Sequence, residues 1–74
     1  MIVVELDRIL RERRMTASEL CAIIGLTEAN LSILRSGKAR AIRFTTLDAI
    51  CRALSVTPGD ILGWKEGIQH DDVE

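Results

Sequence analysis

Residues 17–36 read ASELCAIIGLTEANLSILRS, and this stretch decides the fold. Leu20, Cys21 and Ile24 fall at i, i+1 and i+4, on one face of a predicted helix. Leu31 and Leu34 fall on one face of a second, with Ile33 beside them. Gly25, Leu26 and Thr27 lie between. A glycine just after the last apolar residue suits the left-handed conformation that ends a helix. A threonine two residues later can cap the next one. Two short helices with so tight a joint must cross steeply, which is the geometry of a helix-turn-helix.

Working back toward the N-terminus, Thr16 precedes Glu19 by three residues, the spacing of a capping box that opens the first helix of the pair. A helix over Glu5–Arg14 comes before it, with Leu6, Ile9 and Leu10 as its apolar stripe. Arg11, Arg13 and Arg14 lie at the negative end of that helix, where cations are favoured; they either complement the dipole on a solvated face or supply a phosphate contact. Ile2, Val3 and Val4 are β-branched and read as a short edge strand or an extended arm.

Working forward, Gly37 ends the second helix of the pair as Gly25 ends the first. The loop from Gly37 to Phe44 contains Lys38, Arg40 and Arg43 and no acid; Ile42 and Phe44 are expected to anchor it to the core. A fourth helix is expected to open at Thr45 or Thr46, with Leu47, Ile50, Cys51 and Leu54 facing inward and Arg52 outward. Thr57-Pro58-Gly59-Asp60 is a strong helix start, because proline needs no N–H at the first helical position and Asp60 complements the dipole. That last helix is short, Pro58 to Leu62, and Val56, Ile61 and Leu62 should close the core. Trp64 either packs over the end of the core or sits at a dimer contact. The fold class expected is all-α, a compact five-helix bundle over residues 1–64, followed by an acidic mobile tail over 65–74.

Seventy-four residues make one small domain with a modest core. Cys21 and Cys51 are thirty residues apart on predicted apolar faces and read as small buried hydrophobes in a reducing cytoplasm. His70 is the one histidine and lies in the polar tail, so no metal-ligand set is expected. No signal peptide and no run of membrane-spanning length is visible, so a cytoplasmic protein without a membrane partner is expected. No glycine-rich phosphate loop, nucleophile–histidine pair or acid pair with a pocket is present, so neither an enzyme nor a cofactor site is expected.

The net charge of −1 conceals an asymmetry. Residues 1–46 hold eight Lys/Arg against five Asp/Glu, a surplus of +3, whereas residues 47–74 hold two against six, −4. The local field at a docking surface matters more than the total, so a polyanion-facing surface belongs to the first two thirds of the chain. An α-helix fits the major groove of B-DNA, and in a helix-turn-helix the second helix enters it N-terminus first while the first crosses the backbone.

Roughly residues 5–62 resemble the DNA-binding domain of the Cro/CI family of phage and bacterial repressors, the lambda-repressor-like or Xre-like fold. The resemblance is carried by Leu20, Ile24, Gly25, Leu26, Leu31 and Leu34 in the motif, then by Ile50, Leu54 and Thr57-Pro58-Gly59-Asp60. It implies a five-helix bundle, in agreement with the independent helix count. By matching position it implies that Thr27, Glu28, Ala29, Ser32 and Ile33 face DNA bases or the groove edge. Thr16, Asn30, Lys38, Arg40 and Arg43 are the candidates for phosphate contact, together with free backbone N–H groups. The chain departs from the family in two places. Ala17 stands where glutamine is frequent and cannot make its hydrogen bonds; Cys21 replaces a small residue, usually alanine, and is little larger.

Glu28 either accepts from a cytosine amino group or only complements the helix dipole, while Ala29 and Ile33 offer apolar contact, for example to a thymine methyl. Such a set gives modest specificity per half-site, which favours a homodimer reading two half-sites. The function expected is a sequence-specific, double-stranded-DNA-binding transcriptional regulator, a repressor, reading the major groove with its third helix; no small-molecule ligand is indicated. The alternative is a protein-interaction module of the same fold, antitoxin-like or an anti-repressor adaptor, which does not read DNA.

Overall fold

The computed structural model describes residues 1–66; His70 and the tail expected beyond residue 66 lie outside them. The chain order is β1 (Ile2–Val4), α1 (Leu6–Glu12), α2 (Ala17–Ile24), α3 (Glu28–Arg35), α4 (Phe44–Leu54), α5 (Pro58–Ile61) and β2 (Leu62–Trp64). Five helices surround one core made of Leu6, Ile9 and Leu10 from α1, Leu20 and Cys21 from α2, Leu31 and Leu34 from α3, Leu47, Ile50 and Leu54 from α4, and Ile61 from α5. In α1, α3 and α4 these residues sit at the i, i+3, i+4 or i+7 spacing that the sequence displays, so the period of the pattern sets which face each of those helices buries. The two cysteines are free; Cys21 is buried and Cys51 partly buried, and burial, with Asp48 and Asp60 nearby, pushes the Cys51 thiol up and keeps it protonated.

The short strand expected over Ile2–Val4 forms as β1, and its partner is a second strand, β2, that the sequence pattern does not predict. β1 pairs antiparallel with β2, with Ile2 opposite Trp64, Val3 opposite Gly63 and Val4 opposite Leu62. The pairing extends past the strands: the Met1 ammonium donates to the Lys65 carbonyl at 2.6 Å and Lys65 N–H to the Met1 carbonyl at 2.9 Å. Glu5 N–H donates to the Ile61 carbonyl at 2.7 Å. A side chain at position 63 would put its Cβ 3.2 Å from Val3 Cγ2, so glycine permits the close approach. Leu62 is therefore a strand residue rather than the last residue of α5. Trp64, two-thirds exposed, does not pack over the core.

Two further expectations are corrected. α4 opens one turn-residue earlier than expected, at Phe44 with Arg43 as its cap, and Phe44 is 86% exposed. The loop is anchored by Ile42 and Ala39, which pack against the core, and not by Phe44. The reason is that Phe44 is the first residue of α4 and lies roughly 90° round the helix from the centre of the stripe made by Leu47, Ile50 and Leu54, so it falls on the flank of the core at the helix end. Asp48 pairs with Arg52 one turn along at 3.0 Å. α1 is shorter than the expected span, ending at Glu12, because Arg14 takes a left-handed conformation (φ 53°) that turns the chain into α2.

Arg13 has a structural role. Its Nε donates to the Leu54 carbonyl at 2.8 Å and its Nη2 to the Ser55 carbonyl at 3.4 Å. The guanidinium thereby satisfies the C-terminal carbonyls of α4, where Ser55 itself turns left-handed (φ 56°), and places a cation on the negative end of that helix. Replacing Arg13 by Ala should lower stability by about 1–2 kcal/mol, as expected for a charged donor to a part-buried carbonyl. Chemical denaturation monitored by circular dichroism checks this, and a loss under a few tenths would show that water replaces the guanidinium.

Two acids close the helix starts. Thr16 N–H donates to Glu19 Oε1 at 2.8 Å, and Glu19 N–H to Thr16 Oγ1 at 3.1 Å. Asp60 Oδ2 accepts from Thr57 N–H at 2.9 Å and from the Thr57 hydroxyl at 3.1 Å. These donors hold both carboxyls below their ordinary values of 4.5 and 3.8. A lowered folded-state value means stability that is fully present above the ordinary values and is lost as pH falls through the folded ones. The melting temperature should therefore be flat above pH about 5 and fall below pH about 4. In the Glu19→Gln, Asp60→Asn double variant the fall should be shallower, whereas an unchanged acid limb would assign it to other groups.

Candidate nucleic-acid interface

The site is built on the joint between α2 and α3. Gly25 adopts φ 72°, and its N–H and that of Leu26 both donate to the Cys21 carbonyl, at 2.9 and 3.2 Å. The helix direction turns by 118° across the break. Thr27 caps α3, its Oγ1 accepting from Asn30 N–H at 3.2 Å. Leu31 and Leu34 are buried, which fixes the rotation of α3 and leaves Glu28, Ala29, Ser32 and Ile33 exposed on its other side. All five expected base-facing residues, Thr27 included, are thus at the surface, and Ile33 is 49% exposed without any core role. Thr27 keeps its hydroxyl proton for an outside acceptor, since the cap uses only its lone pair.

Two shallow grooves lie near the motif, one beside α3 and one at the head of α2. The groove beside α3, of about 460 Å³, is lined by Asn30 and Ile33 of α3, Ala41 and Ile42 of the loop, and Arg43 and Thr46 at the head of α4. The structure thus brings Asn30 and Arg43 together. Lys38, Arg40 and Arg43 are all exposed on the loop, which leaves α3 through Gly37 at φ 79°, with Lys38 N–H on the Ile33 carbonyl at 3.3 Å. Arg43 caps α4 with its backbone and makes no side-chain cap bond, so the first N–H groups of α4 open toward this groove without a side-chain acceptor.

The groove at the head of α2, of about 360 Å³, is lined by Thr16 and Ala17 together with Arg11, Arg14 and Arg35. Thr16 is at the surface as expected, but its N–H and its hydroxyl oxygen are engaged by the capping box. The donors left at this helix start are the N–H groups of residues 17 and 18, which have no helical acceptor. Arg11 and Arg14 stand beside them. Of the three arginines ending α1, Arg13 is therefore committed to α4 and the other two face the groove. Arg35 is tied to Asp7 by an ion pair, which braces the end of α3 against the start of α1. The sequence holds no signal for that grouping, because it needs the α1–α3 packing to be known; the run of cations over 11–14 is the one available hint.

Comparison with known proteins agrees with this geometry. Residues 5–67 match the family model of the Cro/C1-type HTH DNA-binding domain. A protein of Bacillus subtilis (strain 168) described as the uncharacterized HTH-type transcriptional regulator YozG is 52% identical over 64 residues, covering 86% of this chain and 76% of the relative. The 118° joint at Gly25, the outward face of α3 and the match over residues 5–67 place the chain in one family: it belongs to the Cro/C1-type helix-turn-helix DNA-binding domains.

Proposed function

We propose that this chain is a sequence-specific transcriptional repressor that binds double-stranded DNA as a homodimer, with α3 lying in the major groove. The observation that carries the reading is the uncovered outward face of α3 with Asn30 and Arg43 lining one groove beside it, together with Arg11 and Arg14 grouped at the head of α2. A helix inserted in the groove meets phosphates on both flanks, and this arrangement supplies cations and backbone donors to both. Thr27, Glu28, Ala29, Ser32 and Ile33 then meet base edges. Glu28 suits a cytosine amino group, and Ala29 and Ile33 suit a thymine methyl. The relative's description as a transcriptional regulator supports a regulatory role. The resemblance to the Cro/CI repressors favours repression over activation. Two copies on an inverted repeat, with half-sites about one DNA turn (~34 Å) apart, raise the selectivity that one such face provides.

The deciding experiment is selection of bound duplexes from a random pool at near-physiological salt. An inverted repeat is expected; no enrichment by folded protein would support the alternative, an interaction module that keeps the fold without reading DNA. Within the selected site, Glu28→Lys should change the preferred base at one position per half-site, with discrimination shifting by about 1–3 kcal/mol. An unaltered preference would leave Glu28 as a helix-dipole residue.

The phosphate contacts have a separate readout. Replacing Lys38, Arg40 and Arg43 by Ala should flatten the dependence of log affinity on log salt by about one unit for each lost phosphate contact, with little change in sequence preference. The Arg11→Ala, Arg14→Ala double variant should do the same. A slope equal to the parent's in either variant removes that groove from the interface.

A further inference from the structure

The β1–β2 ribbon runs out past the core. Its register puts Val4, Leu62, Ile2 and Trp64 on one face, since alternate residues share a face and paired residues point the same way. Val4 and Leu62 pack against the core. Ile2 and Trp64, two positions along, are 65% and 67% exposed, and Met1 beside them is also exposed. The inner face of the ribbon therefore continues beyond the core and ends in its largest apolar side chains. No residue of the ribbon lines either groove, so this surface is separate from the candidate DNA interface.

The backbone of β1 is also open. The bonds of Met1 to Lys65 and of Glu5 to Ile61 show that residues 1, 3 and 5 turn their N–H and C=O groups toward β2. Those of Ile2 and Val4 are directed to the opposite edge. β1 has neither the lysine nor the proline that keeps an edge strand from pairing.

We propose that a second copy of this chain covers this surface, β1 against β1, in an antiparallel pairing about a two-fold axis at Val3. The inference rests on the homodimer reading above and gives it an interface. The register is the one that pairs all three residues of the strand. Ile2 and Val4 of each copy exchange backbone hydrogen bonds with Val4 and Ile2 of the other. Across the resulting four-stranded sheet, Trp64 and Ile2 of one copy fall in line with the partner's Val4 and the partner's Leu62. The overhang of each protomer thus continues the core-packed pair of the other. A two-fold contact must be self-complementary in this way. Covering a tryptophan removes about 150–250 Å² from water, so two of them with their Ile2 neighbours form the apolar centre of an interface that needs about 1,200 Å² in total to be stable. The dimer is accordingly weak when free and completed on DNA.

Trp64 is the one tryptophan, so it reports on its own burial. The full chain without DNA is followed by sedimentation and by tryptophan emission from low to high micromolar concentration. The mass is expected to rise from one chain to two, with emission moving to shorter wavelength over the same range. Ile2→Glu and Trp64→Ser should each weaken the dimer at least tenfold while leaving the circular dichroism spectrum unchanged. Trp64→Ser, far from the strand's inward contacts, serves if Ile2→Glu fails to fold. A dimer of parental strength in Trp64→Ser, or one that forms with no change in emission, overturns the interface while the homodimer stands. A single-chain mass throughout overturns both. Emission that is already blue in the monomer and turns red on deleting residues 67–74 assigns the surface to the chain's own tail and also overturns the proposal. None of these outcomes bears on whether duplexes are enriched, so failure of the DNA reading is seen separately.

Discussion

The rest of the structure depends on the left-handed turn at Gly25. With φ at 72°, the chain reverses into α3 within three residues, and the Cys21 carbonyl takes both the Gly25 and Leu26 N–H groups. A Cβ at this position would meet open space, so what glycine supplies is the backbone conformation and not room. The 118° change of direction has two consequences. It lets Leu31 and Leu34 reach the same core as Leu20, and it stands α3 off the body with its opposite face uncovered. A shallower joint would lay α3 along α2 and bury the face that is now outward.

Given that joint, rotation of each helix is set by its apolar stripe. α3 buries Leu31 and Leu34, and its exposed side follows with no further choice. α4 buries Leu47, Ile50 and Leu54, which leaves Phe44 on the flank and points the head of the helix at Asn30 and Ile33. Arg13 then holds the far end of α4 by its carbonyls, and Arg35 holds the end of α3 to Asp7. The helix that faces outward is thus braced at its start by a cap and at its end by an ion pair, and the edges of both grooves belong to helices fixed by the core.

Much of this is legible in the residues because helix period, caps and left-handed glycines are local properties. Leu20, Leu31 and Ile50 announce their burial, Thr16 and Glu19 their capping box, Gly25 and Gly37 the helix ends. The stretch Leu62–Trp64 is different. Three residues carry no period, and their strand exists because β1, some sixty residues away, lies beside them; pairing of that separation leaves no trace in either segment alone. Arg14 and Ser55 are likewise illegible, since nothing local marks a non-glycine residue for a left-handed turn that packing imposes. Phe44 misleads for a related reason. Its size suggests burial, but its place relative to Leu47 decides the matter, and the boundary of α4 is one residue away from where Thr45 alone would put it.

The net charge of −1 becomes intelligible once the cations are sorted by what they touch. Arg8 pairs with Glu12, Arg52 with Asp48 and Arg35 with Asp7, while Arg13 serves the carbonyls of α4. The charges of Arg8, Arg52 and Arg35 are offset by their acids, and Arg13 is committed to a helix end. Arg11, Arg14, Lys38 and Arg43 are the cations placed about α3 and the head of α2 with no ion pair among the described residues. On the proposed reading each protomer neutralises few phosphates and has a small sequence-independent affinity, because that term scales with the phosphates neutralised. In the proposed homodimer, a second copy bound alongside would supply the affinity that sparse charge withholds from one. The apolar overhang of Ile2 and Trp64 and the sparse charge around α3 thus support the same proposal from two separate surfaces: a weak monomeric binder whose selectivity pairing would complete.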